Sequence, residues 1–119
     1  MGSNPTEATK GVIMSSWVHV RGYVSTCLRP KVTNTPCGSE GRIVVKVHKD
    51  GLEYHCTLHG DLRDCGDDFV INIERWFRNN FQHNFVDHGV IVISSPNITK
   101  SIVYSPLNDQ WNSHTLRKD

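Results

Sequence analysis

Asp50-Gly51 stands between two runs of alternating side chains, Arg42 to Lys49 and Leu52 to Leu58, and no other feature of the chain constrains the fold as much. An Asp-Gly pair in that setting is the strongest short-range hairpin signal, because the turns that match strand twist need positive φ at their centre. With Asp50-Gly51 as a two-residue loop, Val47 faces Tyr54, Val45 faces Cys56 and Ile43 faces Leu58. These six residues share one face, so turn and apolar pattern choose the same buried side. The other face pairs His48 with Glu53, Lys46 with His55, Val44 with Thr57 and Arg42 with His59.

The rest of the chain is read outward from this hairpin. Ser15 to Thr26 also alternates, with Val18, Val20, Gly22 and Val24 on one side and Trp17, His19, Arg21 and Tyr23 on the other, which is strand periodicity. Residues 27 to 41 hold Pro30, Pro36, Gly38 and Gly41 and form a long loop. Residues 59 to 67 form a polar connection. Asp67 or Asp68 then caps a helix over about residues 68 to 81, whose apolar stripe is Val70, Ile73, Trp76 or Phe77, and Phe81. Val86 to Ser95 and Thr99 to Ser105 are strands joined by a turn at Pro96-Asn97. The order β, β-hairpin, α, β-hairpin predicts an α+β fold, an antiparallel sheet of about five strands with one helix packed on a face. We expect a flexible tail at 1–10, a single domain at 11–106 and a polar C-terminal tail at 107–119, with Trp111 packing back.

The totals exclude several classes. A chain of 119 residues is the size of one domain, and 37% hydrophobic with 21% charged residues is ordinary globular composition. No apolar run nears the ~18 residues of a membrane span, and Gly11 to Met14 is too short for a signal-peptide core. Met1-Gly2-Ser3 fits an expression remnant; with Thr6 it also fits the loose myristoylation pattern. The net charge of +1 gives no global pull toward nucleic acid or membrane, so such a role must come from a local patch.

Four cysteines, Cys27, Cys37, Cys56 and Cys65, allow three states. Cys56-Thr57-Leu58-His59 is a C-x-x-H unit, and Cys56, His59 and Cys65 with Cys37 or Cys27 could bind zinc if the strand ends near Thr57. Disulfides Cys27–Cys37 and Cys56–Cys65 would each close a short glycine-rich loop. The third state is four free thiols, with Cys56 a small core residue beside Val45. Asn97-Ile98-Thr99 is a glycosylation tripeptide at a hairpin tip, where Asn also suits the turn itself. The exposed hairpin face gathers Arg42, Lys46, His48, His55 and His59, a basic patch that strengthens as imidazoles protonate. Trp17, Arg21 and Tyr23 extend it if the first strand pairs alongside, and basic groups interleaved with aromatics on a sheet suit RNA.

Catalytic signatures are missing. There is no G-x-S-x-G, phosphate loop, H-E-x-x-H or dinucleotide fingerprint. Asp61, Asp64, Asp67 and Asp68 could hold a hard cation, but acids also belong at a helix N-terminus. The leading expectation is a non-enzymatic accessory module that binds another macromolecule through the sheet face or the helix rim, where Trp76 or Phe77 would be the anchor. The alternatives are an RNA-binding accessory protein using the His-rich hairpin, a secreted disulfide-stabilised module, and a small hydrolase or nuclease. Intracellular placement is favoured over secretion.

Overall fold

The computed structural model describes residues 16–64 and 68–118. In chain order the elements are β1 (Ser16–Thr26), β2 (Val44–Asp50), β3 (Glu53–Asp64), helix α1 (Asp68–Asn80), a 3₁₀ turn (His83–Phe85), β4 (Val86–Ser94), β5 (Ile98–Ser105) and β6 (Gln110–Arg117). The six strands form one sheet in the order β2-β3-β1-β4-β5-β6, and all five pairings are antiparallel. This is the expected α+β class, with six strands where the pattern suggests about five.

The alternation of β1 decides what lies beneath the helix. Val18, Val20 and Val24 point inward and are fully buried. Their cross-strand neighbours on β3 are Leu62, Gly60 and Cys56, and Val20 and Val24 meet Ile93 and Gly89 on β4. Ile102, Tyr104 and Trp111 extend the same layer across β5 and β6. α1 covers this layer with Val70, Ile73, Trp76 and Phe77, followed by Phe81. Burying an aliphatic or phenyl side chain contributes roughly 1.5–3 kcal/mol, so this one stripe holds the helix. Trp76 and Phe77 are both buried, and the Trp76 indole donates to the Thr33 carbonyl at 2.8 Å. Neither ring is an exposed anchor at a helix rim.

Three local features depart from expectation. The hairpin loop is Gly51-Leu52, because Asp50 pairs with Glu53. Gly51 holds φ +64°, as the first loop position of a II′ turn requires. The register therefore shifts by two: Val47 faces Cys56, Val45 faces Leu58, His48 faces His55, Lys46 faces Thr57 and Val44 faces His59. A shift of two leaves every side chain on its expected face.

The second departure is the length of β3, which runs unbroken to Asp64 where a polar connection is expected. Gly60 marks a close approach and not a turn; a Cβ there would lie 2.6 Å from the Arg42 carbonyl oxygen. The third is β6, which occupies most of the stretch expected as a polar tail. It is an edge strand whose one buried side chain is Trp111, so it carries no apolar alternation to read.

Candidate interaction surface

α1 lies on one side of the sheet, and the side chains on the other side form an open face. β1 pairs alongside β3, and this extends the hairpin patch as the sequence suggests: Trp17 faces Arg63, His19 faces Asp61, Arg21 faces His59 and Tyr23 faces Thr57. Across β1 the same row continues onto β4, with Ser25 opposite His88, Tyr23 opposite Val90 and Arg21 opposite Val92. It then reaches β5 and β6, where Val90 faces Val103 and Ser101 faces His114. Six of the seven histidines thus stand on one face: His19, His48, His55, His59, His88 and His114.

Tyr23 is the hub of this face. Its ring stacks on His55 (centroids 5.8 Å apart, planes at 18°) and lies tilted against His88 at 5.6 Å. Its hydroxyl hydrogen-bonds His55 Nδ1. Glu53 sits on the far side of the same imidazole, 3.8 Å from Nε2. Next to the hub runs an apolar strip, Val90, Val92 and Val103, each more than a third exposed, while Trp17, Val44 and Leu116 are exposed elsewhere on the same face. Open faces of antiparallel sheets are normally polar, so contiguous valines on the inner strands β4 and β5 are the unusual feature.

The face's cations are largely committed. Asp61 accepts from Arg21 Nη2 at 3.2 Å and meets His19 Nδ1 at 2.7 Å. The hydrogen bond to His19, helped by Arg21, holds the Asp61 carboxyl below the ordinary carboxylate range. Arg21 also donates to the Val20 and Gly60 carbonyls, and Arg63 is paired with Glu40. Of the expected patch, Lys46, His48, His55 and His59 do share this face. Arg42 lies outside β2, opposite Cys37 in an isolated bridge, and lines a cleft with Thr35, Gly38 and Gly41.

The zinc arrangement fails on strand geometry. Because β3 continues past Thr57, Cys56 points into the core and His59 to the open face. Cys37 is exposed in the loop before β2, and Cys65 lies outside the described residues. Among the described residues no group of three His, Cys, Asp or Glu side chains is placed to hold a metal. Cys27 and Cys37 are free thiols, so the Cys27–Cys37 bridge is not formed; Cys56 is free as well, which removes its bridge to Cys65. The Cys56 thiol is pushed up to about 11 by burial, partly offset by Arg29. Of the acidic loop, Asp61 is consumed by His19 and Arg21, Asp68 opens α1, and Asp67 lies outside the described residues. Asn97 is exposed at the β4–β5 turn.

His88, His114 and the three valines complete the surface, and the sequence analysis does not find them. Each alternates correctly within its own strand. The valines meet through the β4–β5 pair and His114 joins through β6, but their place beside Tyr23 depends on β1 pairing with β4, a long-range contact that no local pattern encodes. No protein-family model, no curated protein and no solved structure matches this chain.

Proposed function

We propose that this chain is a non-enzymatic interaction module that binds another protein through its open sheet face. The observation that carries the reading is the strip Val90, Val92 and Val103, exposed beside Tyr23 in the middle of that face. Binding surfaces of this type centre on desolvated apolar and aromatic groups inside a polar rim. Here the rim is supplied by His19, His59, His114 and Lys46. Pairing of Arg21 with Asp61 and of Arg63 with Glu40 favours a protein over a nucleic acid, whose binding draws chiefly on uncommitted cations. Tyr23 among His55 and His88 supports RNA as the second reading, since base stacking uses such platforms.

The test compares capture from a lysate, with and without nuclease treatment, by the wild-type chain, Val90→Lys/Val103→Lys, and Ile71→Lys. Ile71 is exposed on the helix and serves as the control. A partner retained by wild type and Ile71→Lys, and lost by the double variant, supports the protein reading. Equal recovery by all three would remove it. Binding that vanishes with nuclease and falls steeply with salt would move the assignment to RNA.

A further inference from the structure

A second site stands apart from the open face. The last turn of α1, the segment after it and the first residues of β6 enclose a cleft of about 450 Å³ lined by Arg78, Gln82, His83, Gln110 and Trp111. That is within the size range of small-molecule sites. None of the five is a carboxylate. They are a permanent cation, an imidazole, two carboxamides and an indole wall.

The acids stand behind this lining and orient it. Glu74 accepts from Arg78 Nε at 3.0 Å and the Trp111 carbonyl accepts from Nη1 at 3.2 Å, which leaves Nη2 for a ligand. Asp109 meets His83 Nδ1 at 3.2 Å with one oxygen and takes the Tyr104 hydroxyl with the other. The Tyr104 bond, helped by His83, holds the Asp109 carboxyl below the ordinary range, and a carboxylate on Nδ1–H leaves Nε2 free, an acceptor in the neutral ring and a donor in the imidazolium. Trp111 is fixed by its indole bond to the Phe81 carbonyl (2.8 Å) and by edge contacts with Phe77 and Tyr104. A helix C-terminus repels anions through its unpaired carbonyls. At this end the Phe77 carbonyl accepts from the Phe81 N–H at 2.9 Å, and the neighbouring Trp76 and Phe81 carbonyls accept from Asn80 Nδ2 and Trp111 Nε1.

We propose that this cleft binds a small oxyanion, a carboxylate or a phosphate group, held by Arg78 Nη2, the Gln82 and Gln110 amides and, in its protonated form, His83 Nε2–H, with the body of the molecule against Trp111. The proposal is independent of the open-face reading, since none of these residues lies on the valine strip.

The experiment is a ¹⁵N NMR titration of the full chain with inorganic phosphate and, separately, with acetate, each at constant ionic strength against chloride. We expect saturable shifts confined to Arg78 Nε–H, the Gln82 and Gln110 side-chain amides and Trp111 Nε1–H. His83→Gln and Gln110→Ala should each weaken binding about three- to tenfold, the range for one hydrogen bond. These two side chains are exposed, so both variants should fold; Arg78→Gln also breaks the ties to Glu74 and Trp111 and is the less clean test. Saturation by both anions supports a general oxyanion site, and by only one narrows it to that group. Shifts that never saturate, that scatter over the surface, or that survive unchanged in His83→Gln and Gln110→Ala overturn the assignment.

Discussion

Glu74→Gln should cost this protein about 2 kcal/mol at neutral pH. The carboxylate sits in the seam between α1 and β5, 13% exposed, with Lys100 Nζ 2.5 Å from one oxygen and Arg78 Nε 3.0 Å from the other. Lys100 is itself only 19% exposed and Arg78 37%. Exposed pairs contribute ~0–1 kcal/mol, and removing one partner of a fully buried pair costs ~3–5 kcal/mol. A half-buried carboxylate serving two cations falls between, at ~2 kcal/mol, because the amide leaves two cations facing each other at the seam. For a domain of this size that is a fall of roughly 8 °C in Tm. Burial raises the Glu74 pKa, but the bonds from Lys100 and Arg78 outweigh it, and the net shift is downward. A lowered folded-state value means the unfolded chain binds the proton first as pH falls. The stabilisation is therefore complete above the unfolded glutamate's value and lost as pH falls through the lowered folded value. Urea denaturation of wild type and variant across that window gives the check. The gap between them should close on acidification, while other carboxylates cancel in the difference. A loss below about 0.5 kcal/mol at neutral pH would show that the seam is a screened surface pair, and a gap that persists in strong acid would show that the loss does not come from the ionised carboxylate.

Other consequences can be checked directly. Native alkylation at mildly alkaline pH should label Cys27 and Cys37, which are exposed, and spare Cys56, whose thiol is buried and raised to about 11; peptide mapping should find Cys56 labelled only after unfolding. Gly89→Ala should destabilise by ~1–3 kcal/mol in chemical denaturation, since the new methyl would lie 2.8 Å from Trp111 Cη2 and 3.2 Å from the Tyr23 carbonyl. The Tyr104 phenol, pushed up to about 12 by its bond to Asp109, should ionise at lower pH in Asp109→Asn, as read from ultraviolet absorbance.

The parts of this fold that show in the sequence are those set by local periodicity. Val18, Val20 and Val24, the Val70-Ile73-Phe77 stripe and the β4–β5 pair all stand where alternation or helical spacing puts them. The hairpin shows where local signals stop. Its faces are fixed by parity, but its register moves by two because Gly51, and not Asp50, takes the first loop position. Gly60 and the 110–117 segment were misleading for opposite reasons. A glycine required by a crossing backbone looks the same as one in a turn, and an edge strand with one buried side chain looks the same as a tail. The surface was half visible: Lys46, His48, His55 and His59 follow from the hairpin. The valines follow from the β4–β5 pair, but joining them, His88 and His114 to that patch needs the non-local seam between β1 and β4 and the unexpected β6. The cleft beside Trp111 was invisible, because His83 and Asp109 meet only after the sheet is complete.

The place of β1 in the strand order also governs how the chain must assemble. β1 is sealed on one side by β3 but waits on the other for β4, with partners as distant in sequence as His19 and Ser94. Closing loops of that length costs entropy before the contact rewards it, so refolding should be slow for a domain this small. Until β4 arrives, the β-branched flank of β1 is an unpaired edge, with Val18, Val20 and Val24 still uncovered by the second half of the core. A second nascent chain offers the same edge, so during synthesis or refolding at high concentration mispairing at β1 competes with the native sheet. Yield should therefore depend on protein concentration during refolding more than on the stability of the finished fold.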